Sequence, residues 1–204
     1  MIKDKKHWYD GIFYDKLIAP NLNNMFKVIS SIIEDGSKVI DIGCGTGWFC
    51  FNISKKCKEV TGVDLSSKNI KVAKSKLASK NLSNISFIHS DANTISSTLK
   101  KKFDYAVITY MLHEIEPDER NIVLNNAKQL AEKIIIGDYL TPQPKNFMGL
   151  INIAVEFFAG RNHYKNYKSF QKEGGLKILA DKNNLKIIRE IKNNPPTSQI
   201  VVLK

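Results

Sequence analysis

"VIDIGCGTGWF", residues Val39 to Phe49, decides how this chain is read. Its first half is β-branched and apolar, as a buried strand is. Its second half sets Gly43, Gly45 and Gly47 at alternate positions directly behind that strand, with one acid, Asp41, two residues before the first of them. Glycine lets backbone approach a ligand closely and takes conformations closed to other residues. The stretch therefore predicts a strand ending in a ligand-binding turn that opens a helix.

Outward from this turn, short apolar runs alternate with helical patterns, which predicts a parallel sheet covered on both faces. The expected strands are 38–42, 59–63, 85–89, 103–109 and 133–139. Ile70, Ala73 and Leu77 recur at helical spacing behind Ser66 or Ser67 as cap, and "PDERNIVLNNAKQLA" opens on Pro117 followed by acids, as helices do. The ending differs. "LKIIREIK" and "SQIVVLK" are joined by "NNPPTS", too short for a parallel crossover and right for an antiparallel hairpin at or near a sheet edge.

Composition sets bounds. The chain has 204 residues, 43% hydrophobic and 25% charged, consistent with one domain spanning 1–204 around a sizeable core. No export signal opens it, so a cytoplasmic location is expected. The longest apolar run, Phe147 to Gly160, is too short to span a bilayer and contains Glu156. Cys44, Cys50 and Cys57 fit no zinc spacing and read as reduced, buried thiols, so no metal is expected. The net charge of +11 raises the question of nucleic acid, but it is nearly all lysine, with only Arg120, Arg161 and Arg189 as guanidinium forks. A generic basic surface is the preferred reading, with nucleic acid kept as an alternative partner.

Three ligand classes compete for the glycine turn. A phosphate loop for ATP needs Gly-Lys-Ser/Thr, but Trp48 and Phe49 follow Gly47. A dinucleotide turn reads G-x-G-x-x-G and rests a pyrophosphate on the helix end, where Asp41 would repel it. A carboxylate there suits a cationic ligand, an ammonium or a sulfonium. Asp64, at the end of the second strand, lies where an acid accepts hydrogen bonds from ribose hydroxyls, and Asp91, after the third, lies where one meets a purine amine. Capping of the following helices is the competing role for both acids.

With those residues in view, the chain resembles the class I S-adenosylmethionine-dependent methyltransferases, in their small-molecule branch. "VIDIGCGTG", "VTGVDLS", "IHSDA" and "FDYAVITYMLHEI" are similar to four motifs of the family, in order. The resemblance implies a three-layer, doubly wound, Rossmann-like α/β fold with a mostly parallel seven-stranded sheet of order 3-2-1-4-5-7-6. It implies S-adenosylmethionine as cofactor, with Gly43, Cys44 and Gly45 beneath its methionine portion and Asp41 nearby. It further implies Asp64 on the ribose, Leu65 beside the adenine, Asp91 and Ala92 at its amine edge, and Thr109 and Tyr110 by the methionine tail. Residues 1–35 become a segment folded over the cofactor, in which Tyr14 and Tyr9 either contact it or staple the sheet face.

On the acceptor side, methyl transfer is an in-line displacement for which orientation does much of the work, and a base is needed only where the acceptor must lose a proton. His113, just past the fourth strand, either faces the acceptor as that base or shapes the loop. Residues 141–173 form an insert. Met148, Ile151, Val155 and Phe158 share one helical face there, followed by His163, Tyr164 and Tyr167, so the insert reads as a lid over a small, partly apolar acceptor, with a dimer contact or core packing as the other accounts of the same face. "NNPPT" (193–197) resembles the Asn-Pro-Pro motif of amino-directed nucleic-acid methyltransferases but stands in the wrong place and lacks the aromatic, so it reads as a hairpin turn. The expected function is methyl transfer to a small molecule by a monomer or homodimer. RNA or protein methylation, and a non-catalytic cofactor-binding module, are the alternatives.

Overall fold

A computed structural model describes Asp4, residues 22–193 and residues 196–204. Among these, seven strands form one sheet of order β3-β2-β1-β4-β5-β7-β6. β1 (Lys38–Ile42), β2 (Glu59–Asp64), β3 (Ile85–His89), β4 (Phe103–Thr109) and β5 (Ala131–Tyr139) are parallel. β6 (Ile187–Lys192) and β7 (Ser198–Leu203) form the expected antiparallel hairpin, and β7 inserts beside β5. The turn between them includes 194–195, outside the described residues.

The alternation of side chains along each strand sorts the core into two halves. Ile40, Ile42, Ala106, Ile108, Ile134, Ile136, Val201 and Leu203 face one side, under α4 (Ile95–Thr98), α5 (Pro117–Leu130), α7 (Arg161–Lys172) and α8 (Gly175–Lys182). Val39, Tyr105, Val107, Ile135, Ile200 and Val202 face the other, under α1 (Asn23–Ile32), α2 (Trp48–Ile53) and α3 (Ser67–Ala78). The caps follow the local sequence. Ser66 accepts from the Asn69 N–H ahead of α3, and α5 starts on Pro117 with the Glu119 carboxylate accepting from the Glu116 N–H. All three cysteines are free and buried; Cys50 lies in α2 and Cys57 just beyond it.

The insert supplies α6 (Phe147–Ala159) and α7. No helix among the described residues is long and apolar enough to cross a membrane.

Gly47 closes the glycine turn as N-cap of α2 in the left-handed region, φ 79°. A Cβ there would lie 2.4 Å from the Phe87 ring. Gly47→Ala therefore meets backbone strain and overpacking together and is expected to destabilise the fold by about 2–4 kcal/mol, read as a lowered urea midpoint at constant m-value. An unchanged midpoint would mean that Phe87 yields freely.

Candidate active site

The five parallel strands all end at one rim, so the loops after them share a surface, the place where open α/β sheets bind ligands. After β1 the chain turns through Gly43 (φ 82°), Gly45 (φ 55°) and Gly47. The N–H groups of Gly43 and Cys44 both donate to the Val63 carbonyl, at 2.8 and 2.9 Å, and the Gly45 N–H donates to Asp64 Oδ2 at 2.8 Å. The turn is thus tied to β2 by its own donors, and its glycines contribute space. A Cβ on Gly43 would sit 2.7 Å from Met111 Sδ.

Asp64 ends β2 with both oxygens engaged: Oδ1 accepts from the Ser66 N–H at 2.8 Å while Oδ2 holds Gly45. It caps and clamps at once, sitting between the glycine turn and the start of α3. Leu65, half-buried, presents its carbonyl to His89 Nε2 at 2.9 Å. Asp4 arrives here as well, accepting from the Ser67 N–H at 2.9 Å and from Ser67 Oγ at 2.8 Å, which places residue 4 at the rim of β2 and β3. Tyr9 and Tyr14 lie outside the described residues.

Asp41 is 1% exposed. Burial pushes its carboxyl up to about 7, helped by the neighbouring Asp64 charge and opposed by the Cys50 thiol, which donates to Oδ2 at 3.4 Å. Its Oδ1 is buried with no hydrogen-bond partner among the described residues. An orphaned carboxylate oxygen beneath a glycine turn is the kind of group a cation satisfies. The Cys44 thiol itself is buried and held well above its ordinary range by burial. Asp91, after β3, accepts from the Asn93 N–H at 2.8 Å, a local turn contact, and Ala92 packs half-buried against the α5 side of the core.

Thr109, the last residue of β4, is half-buried, and Tyr110 after it takes a positive φ of 48°. Its N–H donates to the Gly137 carbonyl, and burial pushes its phenol up to about 12. Next comes a buried polar cluster. His113 Nδ1 lies 2.6 Å from Asp138 Oδ1, and the His113 N–H donates to Asp138 Oδ2 at 3.3 Å. On the other side of the ring, Nε2 lies 3.5 Å from Glu156 Oε1, which also accepts from the Tyr139 hydroxyl at 2.9 Å. Burial opposes charge on His113, but Asp138 and Glu156 outweigh it and hold the imidazole well above its ordinary range. Glu156 is held down at about 2, since His113, His163 and Tyr139 outweigh the opposing burial.

Of the four acceptor-side residues expected from the sequence, His113 and His163 meet at Glu156, with His163 Nδ1 3.9 Å from Oε2, an ion-pair distance too long for a hydrogen bond. Tyr167 packs edge-on against Tyr139 and His113, at 5.4 and 6.4 Å between ring centres. Tyr164 stands apart, half-buried against Phe157. Arg120, one of the three arginines, is 1% exposed: Nε donates to the Leu112 carbonyl at 2.9 Å and Nη2 to the Asn166 carbonyl at 2.7 Å, pinning the loop after β4 to α7.

A family model described as a methyltransferase domain matches residues 39–133. The ubiquinone biosynthesis O-methyltransferase of Bartonella tribocorum is 29% identical over 166 residues, covering 80% of this chain and 66% of that protein. An uncharacterized RNA methyltransferase of Clostridium acetobutylicum is 24% identical over 165 residues, covering 72% of this chain and 35% of that protein. The chain thus spans less than two-thirds of the length of these curated relatives. Among solved structures, the magnesium protoporphyrin IX methyltransferase of Synechocystis with bound SAH matches with a TM-score of 0.61 at 19% identity, over 91% of this chain and 81% of that one. Residues 39–133 thus match a methyltransferase domain, and the fold is shared with a methyltransferase of known structure.

The glycine turn and Asp64 form one connected unit, joined through Val63 and Gly45, and Asp41, on the strand that leads into the turn, is tied to α2 through Cys50. The second unit, His113–Asp138–Tyr139–Glu156, joins the ends of β4 and β5 to α6 of the insert. Of its members the sequence singled out only His113. For Glu156 a signal existed: a lone carboxylate inside an apolar helical run is rarely buried without a partner. The face of Met148, Ile151, Val155 and Phe158 corrects one account offered for it. All four are 38–76% exposed, so they do not pack into the core; Gly149 and Glu156 are the buried residues of α6.

Proposed function

We propose that this protein transfers a methyl group from S-adenosylmethionine to a small, partly apolar acceptor. The observation that carries the reading is the connected unit at the rim. Asp64 is locked to the glycine turn, and an orphaned, buried Asp41 oxygen suits a cationic ligand and not a pyrophosphate. Asp64 would hold the ribose hydroxyls, Leu65, Asp91 and Ala92 would border the adenine, and the backbone of Gly43–Gly45 would border the methionine portion. Thr109 and Tyr110 would flank the methionine tail. The cofactor supplies an electrophilic methyl when bound.

On the acceptor side, the chain's own residues orient and hold a proton. Asp138 fixes the His113 ring through Nδ1, leaving Nε2 directed at Glu156. With both carboxylates in place the ring is a donor. An acceptor group that takes the place of Glu156 leaves His113 with one carboxylate, which lowers its proton affinity; Nε2 then releases its proton to solvent, and the neutral ring can take the proton that the acceptor loses. His163, Tyr164 and Tyr167, with the insert 141–173 as lid, would enclose that side. Asp4, held by Ser67, lies at the rim of β2 and β3 on the cofactor side.

The full chain incubated with S-adenosylmethionine and separate thiols, quinols, amines and lipids is expected to give a product heavier by one methyl in place of hydrogen. A clean absence across the panel, with the cofactor bound, leaves a macromolecular acceptor or a non-catalytic binding module. A macromolecular acceptor is favoured by the net charge of +11 and by the relative named as an RNA methyltransferase. It requires RNA binding that falls steeply with salt; a shallow dependence removes it.

A further inference from the structure

Helix α6 is built inside out. Phe147, Leu150, Val155, Phe157 and Phe158 are 75%, 64%, 53%, 60% and 76% exposed, while the only ionisable residue of the helix, Glu156, is 5% exposed. At 3.6 residues per turn the exposed side chains fall within roughly half of the circumference, opposite Gly149 and Glu156. An ordinary surface helix shows the reverse arrangement, apolar inward and charged outward. Seven of the ten exposed large apolar residues among those described lie on this one helix, so the patch is not the scatter that any surface carries.

The exposed charges around it are positive. Within the insert, residues 141–173, the cations are Lys145, Arg161, Lys165, Lys168 and Lys172, all exposed, and the two carboxylates are the buried Glu156 and Glu173, which is half-buried and paired with Arg120. A two-fold contact between copies would bring two such sets of cations together with no exposed carboxylate of the segment to answer them. A polyanion in water would meet the cations but leave the aliphatic and phenyl side chains exposed. An anionic lipid surface meets both demands: the apolar half of the helix enters the boundary between headgroups and acyl chains, and the flanking cations stay among the phosphates. A 13-residue helix is about 20 Å long and lies in that plane without crossing it.

We propose that α6, with its flanking lysines and Arg161, docks this protein on anionic membrane surfaces. The inference does not depend on the proposed activity, and its test uses no cofactor. The full chain is spun with vesicles of phosphatidylcholine alone and of phosphatidylcholine with an equal part of phosphatidylglycerol. Binding is expected to the mixed vesicles, at least about tenfold weaker to the neutral ones, and weakened by salt. Leu150→Ser together with Phe158→Ser is expected to lower partition to the mixed vesicles by about tenfold or more. Lys165→Glu with Lys168→Glu is expected to lower it on the mixed vesicles alone. All four side chains are exposed, so unchanged circular dichroism and thermal midpoint confirm that the variants fold. A chain that stays in the supernatant with anionic vesicles at low salt overturns the proposal. So does a double serine variant that binds as well as its parent, or a dimer in sedimentation equilibrium that this variant dissolves, which would make a second copy the occupant.

Discussion

Asp64→Ala is expected to weaken binding of S-adenosylhomocysteine by about a hundredfold or more, measured by calorimetry. A hydrogen bond to a charged group contributes about 1.5–3 kcal/mol, and a ribose diol makes two. The loss has a second source. Asp64 holds the Gly45 and Ser66 N–H groups at 2.8 Å each, so its removal also unclamps the turn on which the methionine portion would rest. Asp64→Asn keeps an oxygen for one of those donors and loses the charge, so it should fall between the variant and the wild type. If Asp64→Ala binds with wild-type affinity but melts early, the carboxylate is a cap and clamp only, and the proposed cofactor site loses its main acid.

The sheet was legible because its signals are local. Apolar β-branched runs, caps and a short final connection do not depend on distant partners, and five expected strands match the observed ones to within two residues at either end. The glycine turn was legible for the same reason, although its N–H groups turn out to serve Val63 and Asp64 in place of a ligand. What local pattern could not reveal are the groups paired across the chain. Asp138 sits inside "KIIIGDY" and reads as a strand residue until His113, 25 residues earlier, is placed against it. Asp4 gains meaning only beside Ser67. Helix α6 illustrates a further limit. Periodicity identified one face shared by Met148, Ile151, Val155 and Phe158, but not which face turns inward, and the direction was set by Glu156 reaching Tyr139 and His113.

That buried cluster carries the second large effect. Glu156→Gln is expected to cost about 3 kcal/mol of stability near neutral pH, because removing one partner leaves His113 charged, buried and half-compensated. The pH dependence carries a sign. Glu156 is held at about 2 against an ordinary 4.5, so its stabilisation is complete above about 4.5 and drains away as pH falls toward 2. His113 is shifted the other way, so its contribution is complete below about 6.5 and is lost only as pH rises through its raised value. The gap between wild type and Glu156→Gln should therefore be widest from about pH 5 to 6.5, shrink on acidification, and narrow again in alkali as His113 discharges. Urea unfolding across pH measures it. His113→Asn and the double variant close a cycle whose coupling term should exceed about 1 kcal/mol at pH 6. Additive losses with a pH-independent gap would show that the two groups share a location without sharing charge, and that α6 is held by packing alone.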